Sequence, residues 1–135
     1  MLMQLSHKYE YYALNLNTAV QLVLGSLLLI APSMFQTLVH TQEPAILFRI
    51  VGVMALSMAL LSGYSVIEYG KVGRDQKWLV PIATLTFFHG FLAVFLTVAA
   101  LQGLISWLGV IVHGPMFILF AIAWVRTTKR IVASG

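Results

Sequence analysis

Residues 78–101 read WLVPIATLTFFHGFLAVFLTVAAL, and residues 104–125, after only Gln102-Gly103, read LISWLGVIVHGPMFILFAIAWV. Neither stretch contains Asp, Glu, Lys or Arg. Each is close to the roughly 20 residues that an α-helix needs to cross the hydrocarbon core of a bilayer. Two further apolar segments precede them, at 12–31 and 45–67. A helix satisfies its own backbone donors and acceptors, which makes it the open-chain solution in lipid. The sequence therefore predicts an all-α, polytopic membrane protein: a four-transmembrane-helix bundle, one membrane domain over residues 1–135.

Composition agrees. Apolar residues make up 60% of the chain and charged residues 9%, against about 45–50% and about 25% in soluble domains. A soluble fold of this size leaves too much surface in water to hide so much apolar area. The first apolar stretch, from Tyr12 to Ala31, is longer than the roughly 7–15 residues of a signal-peptide core and is expected to be a retained span.

The interruptions set the layout. Pro32 ends the first span, and 33–39 is expected to continue as a short interfacial helix before Glu43-Pro44. Gly70, Gly73 and Asp75 break the chain between the second and third spans, with Asp75 as a candidate N-cap. Gln102-Gly103 predicts a tight turn and an antiparallel hairpin of spans three and four. Pro115, inside span four, predicts a kink near Ile111.

Charge gives orientation. Lys8, Lys71, Arg74, Lys77, Arg126, Lys129 and Arg130 fall on one side, and Arg49 alone lies near the other. By the positive-inside rule both termini are expected to be cytoplasmic, and the expected location is the plasma or inner membrane. Tyr11, Tyr12, Tyr69, Trp78, Trp107 and Trp124 sit at the expected interfaces. The net charge of +4 is spread over span ends rather than gathered in a basic patch, so lipid headgroups and not nucleic acid are its partner. Cysteine is absent, which excludes disulfides and thiolate ligation of metals.

Small residues recur at helical spacing in span two (Gly52, Ala55, Ala59, Ser62) and span three (Thr86, Gly90, Ala93, Thr97, Ala100). Such faces allow close helix contact, and the two spans are expected to pack on each other through Ala55, Ala59, Ala93 and Thr97. Asn17, Gln21 and Gly25 form a polar stripe in span one that belongs inside the bundle.

From Gly25 an apolar run leads to Pro32, then through an amphipathic link to Leu47-Phe48-Arg49-Ile50-Val51-Gly52 at the start of span two. This layout resembles the DoxX-like small four-helix membrane proteins. The resemblance implies the four-helix fold and an accessory-subunit role; it supplies no catalytic residues.

Two histidines are the chemical candidates. His89 and His113 lie inside their spans, where ionisable residues are rare and costly, and counting from the Gln102-Gly103 turn places them at similar depth. As a pair they suit axial ligation of haem b or contact with a quinone, and Gly90 and Gly114 beside them leave room for a planar group. Phe87, Phe88 and Phe117 either line such a pocket or fill it, and filling is the expectation. The plainer alternative is an interhelical hydrogen bond. Two histidines without carboxylate or thiolate are too few for zinc.

Arg49 is a candidate contact for a lipid phosphate or another anion through its planar guanidinium, with snorkelling or pairing to Glu43 as the plainer options. Glu68 is expected to pair with Lys71, and the sequence offers it no second intramembrane carboxylate for proton relay. No nucleophile–base set, paired-carboxylate site or glycine-rich phosphate loop is present. The function expected is a non-catalytic accessory or scaffold subunit working with other membrane subunits or with copies of itself. A haem- or quinone-binding electron-transfer subunit is the first alternative, and a small oligomeric transporter the second.

Overall fold

The computed structural model describes residues 8–39, 41, 43–69 and 76–134. Five helices follow one another: α1 (Lys8–Ile30), α2 (Pro32–Leu38), α3 (Ala45–Tyr69), α4 (Gln76–Leu101) and α5 (Leu108–Ser134). All except α2 are long and apolar enough to cross a membrane. The protein is an all-α, four-transmembrane-helix bundle.

Local chemistry explains the helix ends. Proline disfavours the helical conformation in the residue before it, and Ala31 accordingly leaves that region (φ −129°, ψ 57°) before Pro32 starts α2. Pro32 stands at the first helical position, where its missing N–H costs nothing. At the end of α4, Gly103 adopts φ 71°. Its N–H donates to Ala100 O at 3.0 Å, and that of Leu104 donates to Ala99 O at 3.0 Å. This is a Schellman cap, which a residue with a side chain adopts only under strain.

The connection after Gly103 is longer than a two-residue turn. Residues 104–107 run outside any helix, and the Ser106 N–H donates to Val39 O at 3.0 Å, tying this link to the end of α2. The fourth span starts at Leu108 rather than Leu104 and continues past Val125 to Ser134. Helix α5 runs through Pro115, which interrupts the hydrogen-bond ladder without ending the helix. The expected break at Gly70, Gly73 and Asp75 lies outside the described residues, as do Lys71 and Arg74.

Packing pairs the helices as α1 with α3 and α4 with α5; α3 and α4 touch only sparsely. The expected close contact of spans two and three is therefore corrected. The small-residue stripe of α3 is taken by α1: a Cβ placed on Gly25 would stand 2.9 Å from Gly52 O and 2.8 Å from Leu56 Cγ. On α4, Gly90 faces the Phe117 ring of α5. A cluster of Ala13, Leu14, Trp78, Ile82, Leu85, Met116, Phe120 and Ala123 joins the two pairs. Trp78 belongs to this core at 5% exposure and does not face the interface as an anchor, whereas Tyr12 and Trp107 are exposed.

Polarity runs opposite to that of a soluble protein. Asn17, Gln21, Ser62, Thr86, His89 and Thr127 are buried, while Ile30, Phe91, Phe95 and Leu101 face outward. Water would penalise such a surface over its whole area; lipid does not.

Candidate functional site

At the centre of the bundle each long helix contributes a polar side chain to one connected network. On α3, Ser62 donates to Met58 O at 2.9 Å, as a hydroxyl inside a helix commonly does. Asn17 on α1 donates through Nδ2 to Ser62 Oγ at 3.0 Å. Its Oδ1 stands 2.8 Å from His89 Nε2 on α4, and His89 Nδ1 stands 2.9 Å from His113 Nδ1 on α5. Thr18 Oγ1 lies 2.9 Å from Ser62 Oγ and 2.8 Å from Leu14 O.

The network has a direction. Asn17 uses its amide hydrogens toward Ser62, so its oxygen accepts and His89 Nε2 must donate. A neutral imidazole carries one N–H, which leaves His89 Nδ1 as an acceptor and requires His113 Nδ1 to donate to it. Both ring nitrogens of His89 are thereby occupied, and His89 is 0% exposed. His113 keeps an unprotonated Nε2, which has no hydrogen-bond partner among the described residues.

Aromatic rings fill the surroundings. Phe120 lies parallel to the His89 ring, with centroids 5.6 Å apart and planes at 4°. Phe88 meets both imidazoles edge-on, at 5.2 Å and 6.1 Å. Phe117 occupies the space over Gly90, whereas a Cβ on Gly114 would meet nothing within 4 Å. Phe87 packs against Trp124 on the outer side instead. The 2.9 Å between the Nδ1 atoms is shorter than two metal–nitrogen bonds of about 2.0–2.1 Å laid end to end, so no iron fits between these nitrogens in this arrangement.

One turn beyond Asn17 on α1, Gln21 is buried, and its Nε2 has no hydrogen-bond partner among the described residues. Arg49 is exposed on the outer side of α3 and forms no ion pair among the described residues; the pairing with Glu43 is not made. Among the described residues no three His, Asp or Glu side chains gather as a metal-binding group.

A second polar site was not anticipated. Glu10, in the first turn of α1, is 1% exposed, and its Oε1 lies 2.8 Å from Arg130 Nη2 and 3.6 Å from Arg126 Nε. Arg126 also lies over the Tyr9 ring at 5.2 Å, and the Tyr9 hydroxyl donates to Leu119 O at 3.2 Å. This set clasps α1 to α5 at the basic end. The signal lay in spacing: Glu10 precedes Asn17 by seven residues, two helical turns, on the same face.

Comparison with family profiles, with curated proteins and with solved structures gives no match. Fold and site geometry therefore carry the functional reading.

Proposed function

We propose that the chain is a non-catalytic accessory or scaffold subunit of a complex in the plasma or inner membrane, with both termini cytoplasmic and with other membrane subunits or copies of itself as partners. One observation carries this reading. The residues best suited to chemistry, His89 and His113, direct nitrogens at each other, and His89 spends its second nitrogen on Asn17. His89 used in this way joins helices and has no lone pair left for a ligand. Short connections and the resemblance of Leu47–Gly52 to the DoxX-like group support the same role. The polar stripe of α1, on which a transporter reading would rest, is buried against Ser62 and His89.

A second reading rests on His113 alone. Its Nε2 carries an unshared lone pair, which suits a quinol hydroxyl approaching from lipid. Haem held by both histidines would require the two rings to part. The test is purification of the tagged chain from its native membrane in mild detergent. The proposal expects a stoichiometric membrane-protein partner, or a defined homo-oligomer, and no Soret band. Isolation as a solitary chain carrying near-stoichiometric haem, lost in both His89→Ala and His113→Ala, would overturn it.

A further inference from the structure

Between the end of α3 and the start of α4 lies a crevice of about 330 Å³, lined by Leu61, Tyr64, Ser65, Glu68, Trp78 and Pro81 among others. It exists because α3 and α4 touch only sparsely and because Ser65 is short. Its volume falls at the lower end of the range for small-molecule sites, about 300–1,000 Å³. That accommodates a headgroup and a few methylenes.

The crevice is graded along the membrane normal. Glu68 is the penultimate residue of α3, at the membrane boundary, and Leu61 lies seven residues deeper, roughly 10 Å at 1.5 Å per residue. The shallow end thus holds the Glu68 carboxylate with Trp78 across from it near the start of α4, Tyr64, Val80 and Pro81 line the middle, and Leu61 walls the deep end. A carboxylate flanked by aromatic rings recognises a cation, through charge and through the negative faces of the rings. An apolar wall continuing beneath it recognises a chain attached to that cation. Glu68 has a further interaction of its own, and a carboxylate has lone pairs for a second donor beside it.

We infer that this crevice binds the ammonium headgroup and upper acyl chain of an ethanolamine phospholipid, with Glu68 contacting the ammonium and Tyr64 and Trp78 lining the crevice beneath it. The occupant is a lipid because the crevice lies between two membrane-spanning helices at headgroup depth. The inference is independent of the accessory-subunit reading. It also opposes a simpler expectation. Lys71, Arg74 and Lys77 follow Glu68 closely in sequence and would on charge alone favour an anionic lipid.

The test places Trp78 as sole tryptophan, in a Trp107→Phe/Trp124→Phe chain reconstituted in phosphatidylglycerol bilayers. Small fractions of dibrominated phosphatidylethanolamine or dibrominated phosphatidylglycerol are then added. Quenching of Trp78 is expected at about threefold lower mole fraction of the ethanolamine lipid, and Glu68→Gln should equalise the two. Equal quenching, a preference for the glycerol lipid, or an ethanolamine preference that survives Glu68→Gln would each overturn the inference. Should the double substitution fold poorly, native mass spectrometry of the unaltered chain in equimolar lipids reads the same ratio. There, an ethanolamine adduct enriched about threefold supports it, and equal adducts refute it.

Discussion

The Nδ1 atoms of His89 and His113 stand 2.9 Å apart, so one proton lies between two imidazoles carried by different helices. With Asn17 and Ser62 the contact becomes a hydrogen-bonded line through all four spanning helices. It also crosses from the α1–α3 pair to the α4–α5 pair, which meet besides through the apolar cluster around Leu14 and Phe120 and through the Glu10–Arg130 clasp.

The two histidines should differ in their effect on stability. His89→Ala removes two hydrogen bonds, leaves Asn17 Oδ1 and His113 Nδ1 buried without partners, and opens a gap beside Phe120. A loss of about 2–4 kcal/mol is expected. His113→Ala removes one bond and leaves only His89 Nδ1 without a partner, and is expected to cost about 1–2 kcal/mol. Unfolding in mixed micelles measures both, and equal losses would contradict the order of the network.

Glycines give a test of helix pairing. Gly25→Ala forces a Cβ against Gly52 O and Leu56 and should lower stability by about 1–3 kcal/mol. Gly63→Ala meets only Thr18, its Cγ2 at the ordinary contact distance of 3.4 Å, and should be neutral or stabilising by up to about 1 kcal/mol, from the better helix propensity of alanine. Thermal unfolding in detergent distinguishes them; a neutral Gly25→Ala would refute the close α1–α3 approach.

At the basic end, Glu10→Ala removes the carboxylate that two arginines share and should cost about 1–3 kcal/mol. Arg130→Ala should cost more than Arg126→Ala, because the Arg126 side chain is 50% exposed and lies farther from the carboxylate. The Glu10→Ala/Arg130→Ala pair should lose less than the sum of the single losses. Additive losses in a double-mutant cycle would mean that the clasp contributes no coupling.

Orientation is tested by labelling. The chain lacks cysteine, so single cysteines report cleanly. In intact cells a membrane-impermeant maleimide should label Gln102→Cys and leave Ser134→Cys unlabelled until the membrane is opened. The reverse pattern would place the termini outside.

The sequence reveals the four spans because long uncharged runs have one solution in lipid, and helix depth follows from residue counts. Counting also brought His89 and His113 to one level. The partner of the α3 small-residue face was not legible, since Gly52, Ala55 and Ala59 announce a close contact without saying which helix makes it. Nor was the length of α5: Arg126, Lys129 and Arg130 read as a boundary, yet the helix continues to Ser134, and Arg130 reaches back to Glu10. Charges that appear to belong to solvent fold inward when a carboxylate two turns below the polar stripe awaits them.

The most direct measurement is nitrogen-15 NMR of ring-labelled histidine in lipid, with His7 and His40 replaced by Gln so that two signals sets remain. The network predicts two neutral rings, His89 protonated at Nε2 and His113 at Nδ1, with a scalar coupling across the Nδ1–H···Nδ1 bond. Asn17→Ala should release the Nε2 preference of His89. Two uncoupled rings both protonated at Nε2, or signals displaced and broadened by bound iron, would contradict the account.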